Sequence, residues 1–297
     1  MGVPKILSAA KTLVRSRAKE IFGWLWVTTV SCLIVSRGSP PLSPFIMTVA
    51  AMFFISASVY IFNDVIDVEF DKSNPIKMNR PLPSGQVKIE DAKKMVYIFG
   101  LFGVLMFLLV NIVSFILSLI HFTLLILYSH PKFYLKRIMI VKEGIITFGI
   151  IIASLVGSYA VINSFSLNAF FASIIFAIFV FTAQPAMADT VDIEQDSIFG
   201  VKTMASVMSW KRKMQLLITG ILIIMTLTPL TYVYLSYNFL LPIFVVLGGL
   251  VFLRYMFPIM NTLEQANMLR AIRISWVFYF MIQTFYIIGS LKIPSII

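Results

Sequence analysis

Two short acidic clusters stand out in a chain that otherwise carries few negative charges. They span residues 63–71 and 189–196, and together they hold eight of the thirteen acidic residues. If each cluster is helical, three oxygen-bearing side chains share one helix face, at i, i+4, i+8 in the first cluster and i, i+3, i+7 in the second. These side chains are Asn63, Asp67 and Asp71 in the first cluster, and Asp189, Asp192 and Asp196 in the second.

Two such rows at a membrane edge point to a divalent cation between them. Carboxylates that face each other repel unless a cation separates them, and burying them near lipid is costly. Mg²⁺ prefers oxygen ligands, keeps a partial shell and commonly bridges protein carboxylates to a substrate phosphate. The sequence therefore predicts Mg²⁺ as the cofactor.

Basic and aromatic residues follow both clusters. A turn rich in proline and glycine after the first cluster carries Lys77 and Arg80, and Lys202 follows the second. A third basic connection, residues 128–137, contributes Tyr128, Tyr134 and Lys136. A metal with lysine and arginine neutralises a departing diphosphate, and aromatic faces stabilise the carbocation that is left. The set is suited to ionising an allylic diphosphate.

The elements that must position these residues are membrane helices. The chain is 59% hydrophobic and only 12% charged, which is typical of a polytopic all-α membrane protein. Residues 95–128 as one helix would be about 51 Å long, against a hydrocarbon core of about 30 Å, so we divide them near Asn111. The nine predicted spans are residues 21–36, 44–62, 95–110, 112–128, 144–162, 165–187, 214–234, 238–258 and 274–291.

Charge placement predicts the orientation of these spans. All acidic residues, and every lysine and arginine except Arg37 and Lys292, fall on one side of a nine-span topology. The positive-inside rule places that side, the N-terminus and both clusters in the cytoplasm of a cell-membrane protein, with the C-terminus outside. The net charge of +11 reflects this bias and attraction to anionic lipid headgroups, and nucleic acid is not an expected partner. We treat residues 1–297 as a single domain.

Several polar residues are expected to have structural roles. Cys32, the one cysteine, and His121 are expected to pack within the helices. Capping or surface roles are expected for the acids that lie off the two faces, and interfacial positions for the charged pair that opens the fifth span. These residues are Asp64, Glu69 and Glu194, and Lys142 and Glu143.

The constellation resembles the UbiA-type intramembrane prenyltransferase superfamily. The resemblance rests on the two clusters, on the sequence Arg80-Pro-Leu-Pro-Ser-Gly85, and on residues 128–136, which resemble the family's 4–5 loop. It implies nine helices around a lipid-open cavity, with a cytoplasmic cap made by loops 2–3 and 6–7. It also implies Mg²⁺-dependent transfer of a polyprenyl group from its diphosphate to a lipophilic acceptor.

The resemblance also implies roles residue by residue. Metal ligation falls to both faces of the site, at Asn63, Asp67, Asp71, Asp192 and Asp196, and Asp189 is a further flanking acid. We count Tyr128 with the catalytic carboxylates. Substrate-binding roles fall to Asn63, Arg80, Lys136, Lys202, Lys77, Tyr134 and Arg17, although the proline that usually follows the last position is Ala18 here.

The acceptor and the class of function leave alternatives. A geranylgeranylglyceryl phosphate acceptor, with geranylgeranyl diphosphate as donor, is our leading prediction. An aromatic acceptor of the quinone or chlorophyll type uses the same diphosphate half-site. An ion-coupled transporter is the alternative of another class, but it should carry acids near the bilayer midplane on broken helices, whereas these acids cluster at one face.

Overall fold

The computed structural model describes residues 3–75, 77–187, 193 and 202–292, with side chains from Leu7 onward. Ten long helices follow one another along the described chain. They are α1 Val3–Ser16, α2 Ala18–Val35, α3 Leu42–Lys72, α4 Ile89–Val110, α5 Ile112–Ser129, α6 Val141–Ile162, α7 Leu167–Ala183, α8 Trp210–Tyr234, α9 Leu240–Met256 and α10 Gln265–Ser290. Short 3₁₀ turns lie at Leu135–Arg137, Gln184–Ala186 and Phe257–Ile259, and Met204–Val207 is one helical turn.

Nine helices of the described chain, α2 to α10, are long and apolar enough to cross a membrane. This confirms the predicted number of spans and an integral membrane protein. The most useful departure from the predicted bounds is α3. It continues without a break to Lys72, so that residues 63–71 form its last turns rather than a separate element. The first acidic cluster is therefore helical, as its spacing required.

The predicted division of residues 95–128 falls at Asn111. This residue adopts an extended backbone between α4 and α5. Its side-chain oxygen accepts a hydrogen bond from the Ser114 amide at 2.7 Å, and its Nδ2 donates to the Tyr159 carbonyl at 2.9 Å. Asn111 thus caps α5 and ties the turn to α6, so that the two helices stay antiparallel neighbours.

Small residues let the central helices approach closely. Gly157 of α6 faces α2, where an added Cβ would lie 2.6 Å from the Thr28 carbonyl. The Cys32 thiol contacts the Gly157 carbonyl at 3.4 Å and is fully buried, as predicted for a packed thiol. Because lipid offers no hydrophobic drive between helices, such close packing supplies much of their association.

Side-chain bonds between connections identify the two ends of the bundle. The Trp210 indole donates to the Ile259 carbonyl at 2.9 Å, which joins the first turn of α8 to the α9–α10 connection. At the opposite end, the Tyr237 hydroxyl donates to the Asn168 carbonyl at 2.7 Å. Lys136 pairs with Asp67 near the end of α3, and the Met204 amide just before α8 donates to Glu143 at the start of α6. The end of α3, the 128–141 connection and the α9–α10 connection therefore lie at one end of the bundle.

Candidate active site

A cavity of about 380 Å³ opens at the C-terminal end of α3. Of the thirteen predicted site residues, nine contribute to its lining. They come from the α1–α2 junction, α3, the α3–α4 connection, α5 and the connection that follows α5. The nine are Arg17, Asn63, Asp67, Asp71, Lys77, Arg80, Tyr128, Tyr134 and Lys136.

Asn63 and Asp67 occupy successive turns of α3, as the i, i+4 spacing predicts. The Asn63 amide nitrogen donates to Asp67 Oδ2 at 3.0 Å and to the Ser129 hydroxyl at 2.9 Å. Both amide hydrogens are thereby used. The side-chain oxygen of Asn63, Oδ1, receives no hydrogen bond from a described residue, so it is available as an oxygen ligand.

The connection after α5 folds back onto Asp67. The Tyr134 hydroxyl donates to Asp67 Oδ1 at 3.1 Å, and the Lys136 ammonium pairs with Asp67 Oδ2. Burial lowers the pKa of Lys136, an effect that Asp67 opposes. Burial, followed by the nearby Asp67 carboxylate, raises the pKa of Tyr134. Tyr134 and Lys136 thus hold the same carboxylate, one through each of its oxygens.

Tyr134 has a left-handed backbone, with φ of 44°, which is uncommon for a residue other than glycine. This conformation turns the chain so that two cations cover its ring. The Lys136 ammonium lies 4.9 Å from the ring centroid and the Arg137 guanidinium 4.1 Å from it. Cation–π contacts of this kind hold the charges next to the cavity without neutralising them.

Asp64 corrects one prediction. We expected a capping or surface role, but its side chain is buried and accepts two bonds at 3.0 Å from Nε of Arg17, whose Nη2 also pairs with it. Arg80 Nη1 lies 3.7 Å from Asp64 and donates to Asp71 Oδ2 at 2.8 Å. Asp64 projects from a different side of α3 than Asn63 and binds the α1–α2 junction to this helix.

We expected the two carboxylate rows to repel each other, and the second row lies outside the described residues. Protein cations neutralise the carboxylates of the first row, because Arg80 pairs with Asp71 and Lys136 with Asp67. The argument for a metal therefore cannot rest on unbalanced charge in this row. It rests on the oxygen donors that the cavity exposes. The remaining acid of the cluster, Glu69, is a surface residue paired with Lys72 at 2.8 Å, as predicted.

The second carboxylate row, Asp189, Asp192 and Asp196, lies outside the described residues, as does Glu194. Lys202 is described and exposed, and it does not line the cavity. The α3–α4 connection contributes Lys77 and Arg80 to the mouth of the cavity. Since half of the connection between α7 and α8 is not described, the two-loop cap remains a prediction.

Glu143 corrects a second prediction. We placed it at the lipid interface, but it is fully buried, and its Oε1 accepts a hydrogen bond from the Met204 amide at 3.3 Å. It ties the start of α6 to the turn that precedes α8. Its neighbour Lys142 is half-buried and lines the cavity.

The inner part of the cavity was not predicted. Trp24 and Tyr60 meet there, with the indole donating to the phenol oxygen at 3.0 Å, and Val59, Leu125 and Ile146 complete an apolar wall. These residues come from four helices and share no local pattern, so the sequence offered no signal for them. The cavity is thus charged at its mouth and apolar and aromatic further in.

The described residues provide half of a possible metal site. No three histidine, cysteine, aspartate or glutamate side chains converge within the described part of the chain. The Asn63 carbonyl oxygen and the Asp67 carboxylate are hard oxygen donors of the kind that Mg²⁺ takes when waters and substrate phosphates complete its shell. The donor set therefore fits this ion.

Charge in the cavity favours an anionic ligand. Among the described lining residues there are six cations and three carboxylates. The cations are Arg17, Lys77, Arg80, Lys136, Arg137 and Lys142, and the carboxylates are Glu20, Asp67 and Asp71. A polyphosphate head in the mouth and a hydrocarbon tail against the Trp24 wall would match both parts of the cavity.

Comparison with known proteins agrees with this geometry. The family model described as UbiA prenyltransferase family matches residues 24–282. The digeranylgeranylglyceryl phosphate synthase of Sulfurisphaera tokodaii is 34% identical over 175 residues, which are 54% of this chain and only 56% of that protein. The Sulfolobus acidocaldarius protein of the same name is 28% identical over 230 residues, covering 77% of this chain and 80% of its own length. A 4-hydroxybenzoate octaprenyltransferase of Cronobacter sakazakii is 31% identical over 184 residues, 61% of either chain.

Solved structures share the fold. A digeranylgeranylglyceryl phosphate synthase structure superposes with a TM-score of 0.77 at 20% identity, covering 97% of this chain and all of the other. A UbiA homologue from Archaeoglobus fulgidus, bound to GPP and Mg²⁺, gives a TM-score of 0.68 at 16% identity, covering 94% of this chain and 99% of its own. At these identities the likeness establishes the architecture of the helices.

Proposed function

This chain belongs to the UbiA prenyltransferase family, and we propose that it is an intramembrane enzyme that transfers a geranylgeranyl group from its diphosphate to geranylgeranylglyceryl phosphate. The observation that carries this proposal is the cavity at the end of α3, with its cationic mouth and apolar interior. An allylic diphosphate has the same division into a charged head and a hydrocarbon chain.

Diphosphate binding falls to the cations of the mouth. Arg80 pairs with Asp71 and Lys136 with Asp67, one helical turn apart on α3, and Lys77 lines the same cavity. Asn63 and Asp67 would hold Mg²⁺ from this side, and the predicted second row, Asp192 and Asp196, from the other. Bound there, Mg²⁺ would neutralise charge on the leaving diphosphate. Asp71 keeps Arg80 in position.

The proposed reaction breaks the bond between C1 of the prenyl chain and the diphosphate oxygen, which retains the electron pair. The positive charge that develops on the allylic carbons lies near Tyr128 and Tyr60, whose ring faces stabilise a cation. The hydroxyl oxygen of the acceptor forms the new bond to C1, and its proton passes to water at the cavity mouth. Lys136 and Arg80 stabilise the diphosphate as its charge grows, which is where a fixed cation lowers the barrier most.

The glycerophosphate acceptor is favoured over an aromatic one by the relatives. Digeranylgeranylglyceryl phosphate synthases from four archaea are among those found, with identities of 22–34%. The cavity also has cations beyond those on the Asp67–Asp71 face, since Lys142 and Arg137 line it as well. These can hold the phosphate of the acceptor. An aromatic acceptor remains the second candidate because 4-hydroxybenzoate octaprenyltransferases are also similar.

The cellular arrangement is part of the same proposal. The sorting of basic residues supports a cytoplasmic N-terminus and active site in the cell membrane, with the C-terminus outside. The family match, which covers residues 24–282, supports one catalytic domain over residues 1–297.

A direct assay tests the proposal. Full-length protein in lipid nanodiscs receives labelled geranylgeranyl diphosphate, Mg²⁺ and either geranylgeranylglyceryl phosphate or 4-hydroxybenzoate. We expect an ether product from the first acceptor and release of diphosphate. Asp67→Asn should lower the rate about 100-fold or more, whereas Glu69→Gln, on the exposed side of the same helix, should leave it unchanged. Product from 4-hydroxybenzoate alone would transfer the assignment to the aromatic class, and equal activity of Asp67→Asn would remove this residue from the site.

The same assay tests the second row. Asp189→Asn, Asp192→Asn and Asp196→Asn are each expected to lose activity, with Asp192 and Asp196 also shifting the Mg²⁺ concentration needed for half-maximal rate. Lys202→Gln tests the predicted substrate-binding role of Lys202, a cation that does not line the described cavity. An unchanged Mg²⁺ requirement in Asp192→Asn would contradict its place as a ligand.

A further inference from the structure

A second, larger cavity lies between α9 and α10. Its volume is about 700 Å³, within the range of sites that take small ligands. It shares no lining residue with the cavity at the end of α3. It is therefore a separate feature, to which the proposed reaction gives no role.

The groove is charged at one end and apolar along the rest of both helices. On α9 the lining runs from Gly248 to Tyr255, and on α10 it runs from Ala266, through Arg270, to Met281. The helices are antiparallel, so that Tyr255 and Arg270 lie at the same end. Every charged lining residue is at that end, and the rest of the groove is apolar. This end of the bundle is also the one that carries the α3 cavity.

The dimensions match one leaflet of a membrane. The lining on α10 extends from Ala266 to Met281, which at 1.5 Å per residue is about 22 Å along the helix. Half of a hydrocarbon core is about 15 Å, and the remainder reaches headgroup level. The walls include Val251, Leu269 and Val277, whose side chains are more than half exposed on the bundle surface. The groove therefore opens toward lipid along its length.

The cations at the polar end are free to bind an anion. Arg270 and Arg273 are one turn apart on α10, and no described carboxylate lies within 4.0 Å of either guanidinium. The Arg270 guanidinium instead lies over the Tyr255 ring, 5.7 Å from its centroid. This contact orients the side chain toward the groove and leaves its hydrogen-bond donors available.

We propose that the α9–α10 groove binds one anionic phospholipid of the surrounding leaflet. Its phosphate contacts Arg270 and Arg273, and its hydrocarbon chain lies along the apolar wall toward Met281. Charge complementarity selects the headgroup, because paired arginines at headgroup depth attract a lipid with a net negative charge, whereas the ammonium of a zwitterionic lipid cancels the charge of its phosphate. The proposal does not depend on the transfer reaction.

Native mass spectrometry of the full-length protein in a mild detergent tests this site. The protein is titrated with dioleoyl phosphatidylglycerol or dioleoyl phosphatidylcholine. Each arginine near a charged headgroup contributes about fivefold, so we expect phosphatidylglycerol to bind about 25-fold more tightly than phosphatidylcholine. Arg270→Gln with Arg273→Gln should remove this preference. Equal binding of the two lipids to the native protein would overturn the proposal.

A matched control separates the site from general positive charge. Arg212→Gln with Arg254→Gln removes the same charge from exposed residues at the same end of the bundle, and neither residue lines the groove. We expect this variant to keep its preference for phosphatidylglycerol within about twofold. If it loses as much as the groove variant, attraction is diffuse and the assigned site is wrong.

Two further measurements test the identity of the occupant. Val277→Trp fills an exposed wall position with both arginines intact, and we expect it to weaken phosphatidylglycerol binding about as much as the double arginine variant. Inorganic phosphate at millimolar concentration should not displace the lipid. Displacement by phosphate, no effect of Val277→Trp, or preferential binding of geranylgeranylglyceryl phosphate at this groove would each overturn a resident membrane phospholipid as the occupant.

Discussion

Replacing Asp64 by alanine removes the carboxylate that joins the α1–α2 junction to α3. Asp64 is 3% exposed, and Arg17, which is 6% exposed, directs both Nε and Nη2 toward it. The substitution therefore leaves a buried guanidinium without its main partner. Breaking a buried ion pair from one side costs about 3–5 kcal/mol, because the remaining charge stays desolvated.

The structure places the expected cost at the lower end of this range. Arg17 keeps a second partner, Glu20, whose carboxylate lies 3.2 Å from Nη1 and whose side chain is 39% exposed. We therefore expect Asp64→Ala to cost about 3 kcal/mol. Glu20→Gln should cost less than about 1 kcal/mol, since its partly exposed pair is screened by solvent.

Thermal unfolding in mild detergent, followed by tryptophan fluorescence, measures these differences. A loss of about 3 kcal/mol corresponds to a fall in Tm of roughly 6–12 °C for a chain of this size. The double variant Arg17→Met with Asp64→Leu removes both charges and should be more stable than either single variant, with a coupling of about 2 kcal/mol or more. A fall below about 2 °C for Asp64→Ala, or additive losses in the double variant, would refute the assignment of a buried ion pair.

Three further predictions follow from single contacts. Transfer activity is expected to require the charged form of Lys136, whose pKa is lowered from 10.5 by burial. Activity should therefore fall as pH rises through a midpoint below 10.5, and Lys136→Arg should move this loss to higher pH. Identical pH profiles of the two proteins would contradict the role of Lys136. Asn111→Ala should lower the free energy of unfolding by about 1–2 kcal/mol, and Asn111→Asp by about half as much, because aspartate keeps the helix cap and loses only the bond to α6. Equal losses in thermal unfolding would argue against the cap. In a Cys32→Ala background, Ser84→Cys and Lys292→Cys should be labelled from opposite sides of sealed vesicles, and labelling of both from one side would exclude the odd number of spans between them.

Local periodicity explains what the sequence could predict. The i, i+4 spacing of Asn63 and Asp67 depends only on helix geometry, and the observed contact between them at 3.0 Å follows from it. The division at Asn111 follows in the same way from the length of one bilayer crossing. Predictions that depend only on the geometry of a single helix, or on the length of a single membrane crossing, therefore agree with the structure.

Contacts between distant segments explain what the sequence could not predict. Arg17 and Asp64 are 47 residues apart, and nothing in the spacing of either segment indicates that they meet. Glu143 lies at the start of a membrane helix, a position typical of interfacial charges, yet the Met204 amide 61 residues later makes it a buried acceptor. In both cases a charged residue that was expected at the surface is buried, because a residue distant in sequence forms a hydrogen bond with it.

The internal neutralisation of the first acidic row makes its two binding roles depend on each other. A metal ion at Asp67 competes with Lys136 for the negative charge of one carboxylate, so its binding is expected to loosen that pair. The released ammonium lies at the cavity mouth, where a diphosphate needs a cation. Cation and diphosphate are therefore expected to bind together more tightly than either does alone, and Lys136→Gln should weaken diphosphate binding while leaving Asp67 easier to reach. Arg80 differs from Lys136 in this respect, because it pairs with Asp71 and not with the carboxylate of the Asn63–Asp67 pair.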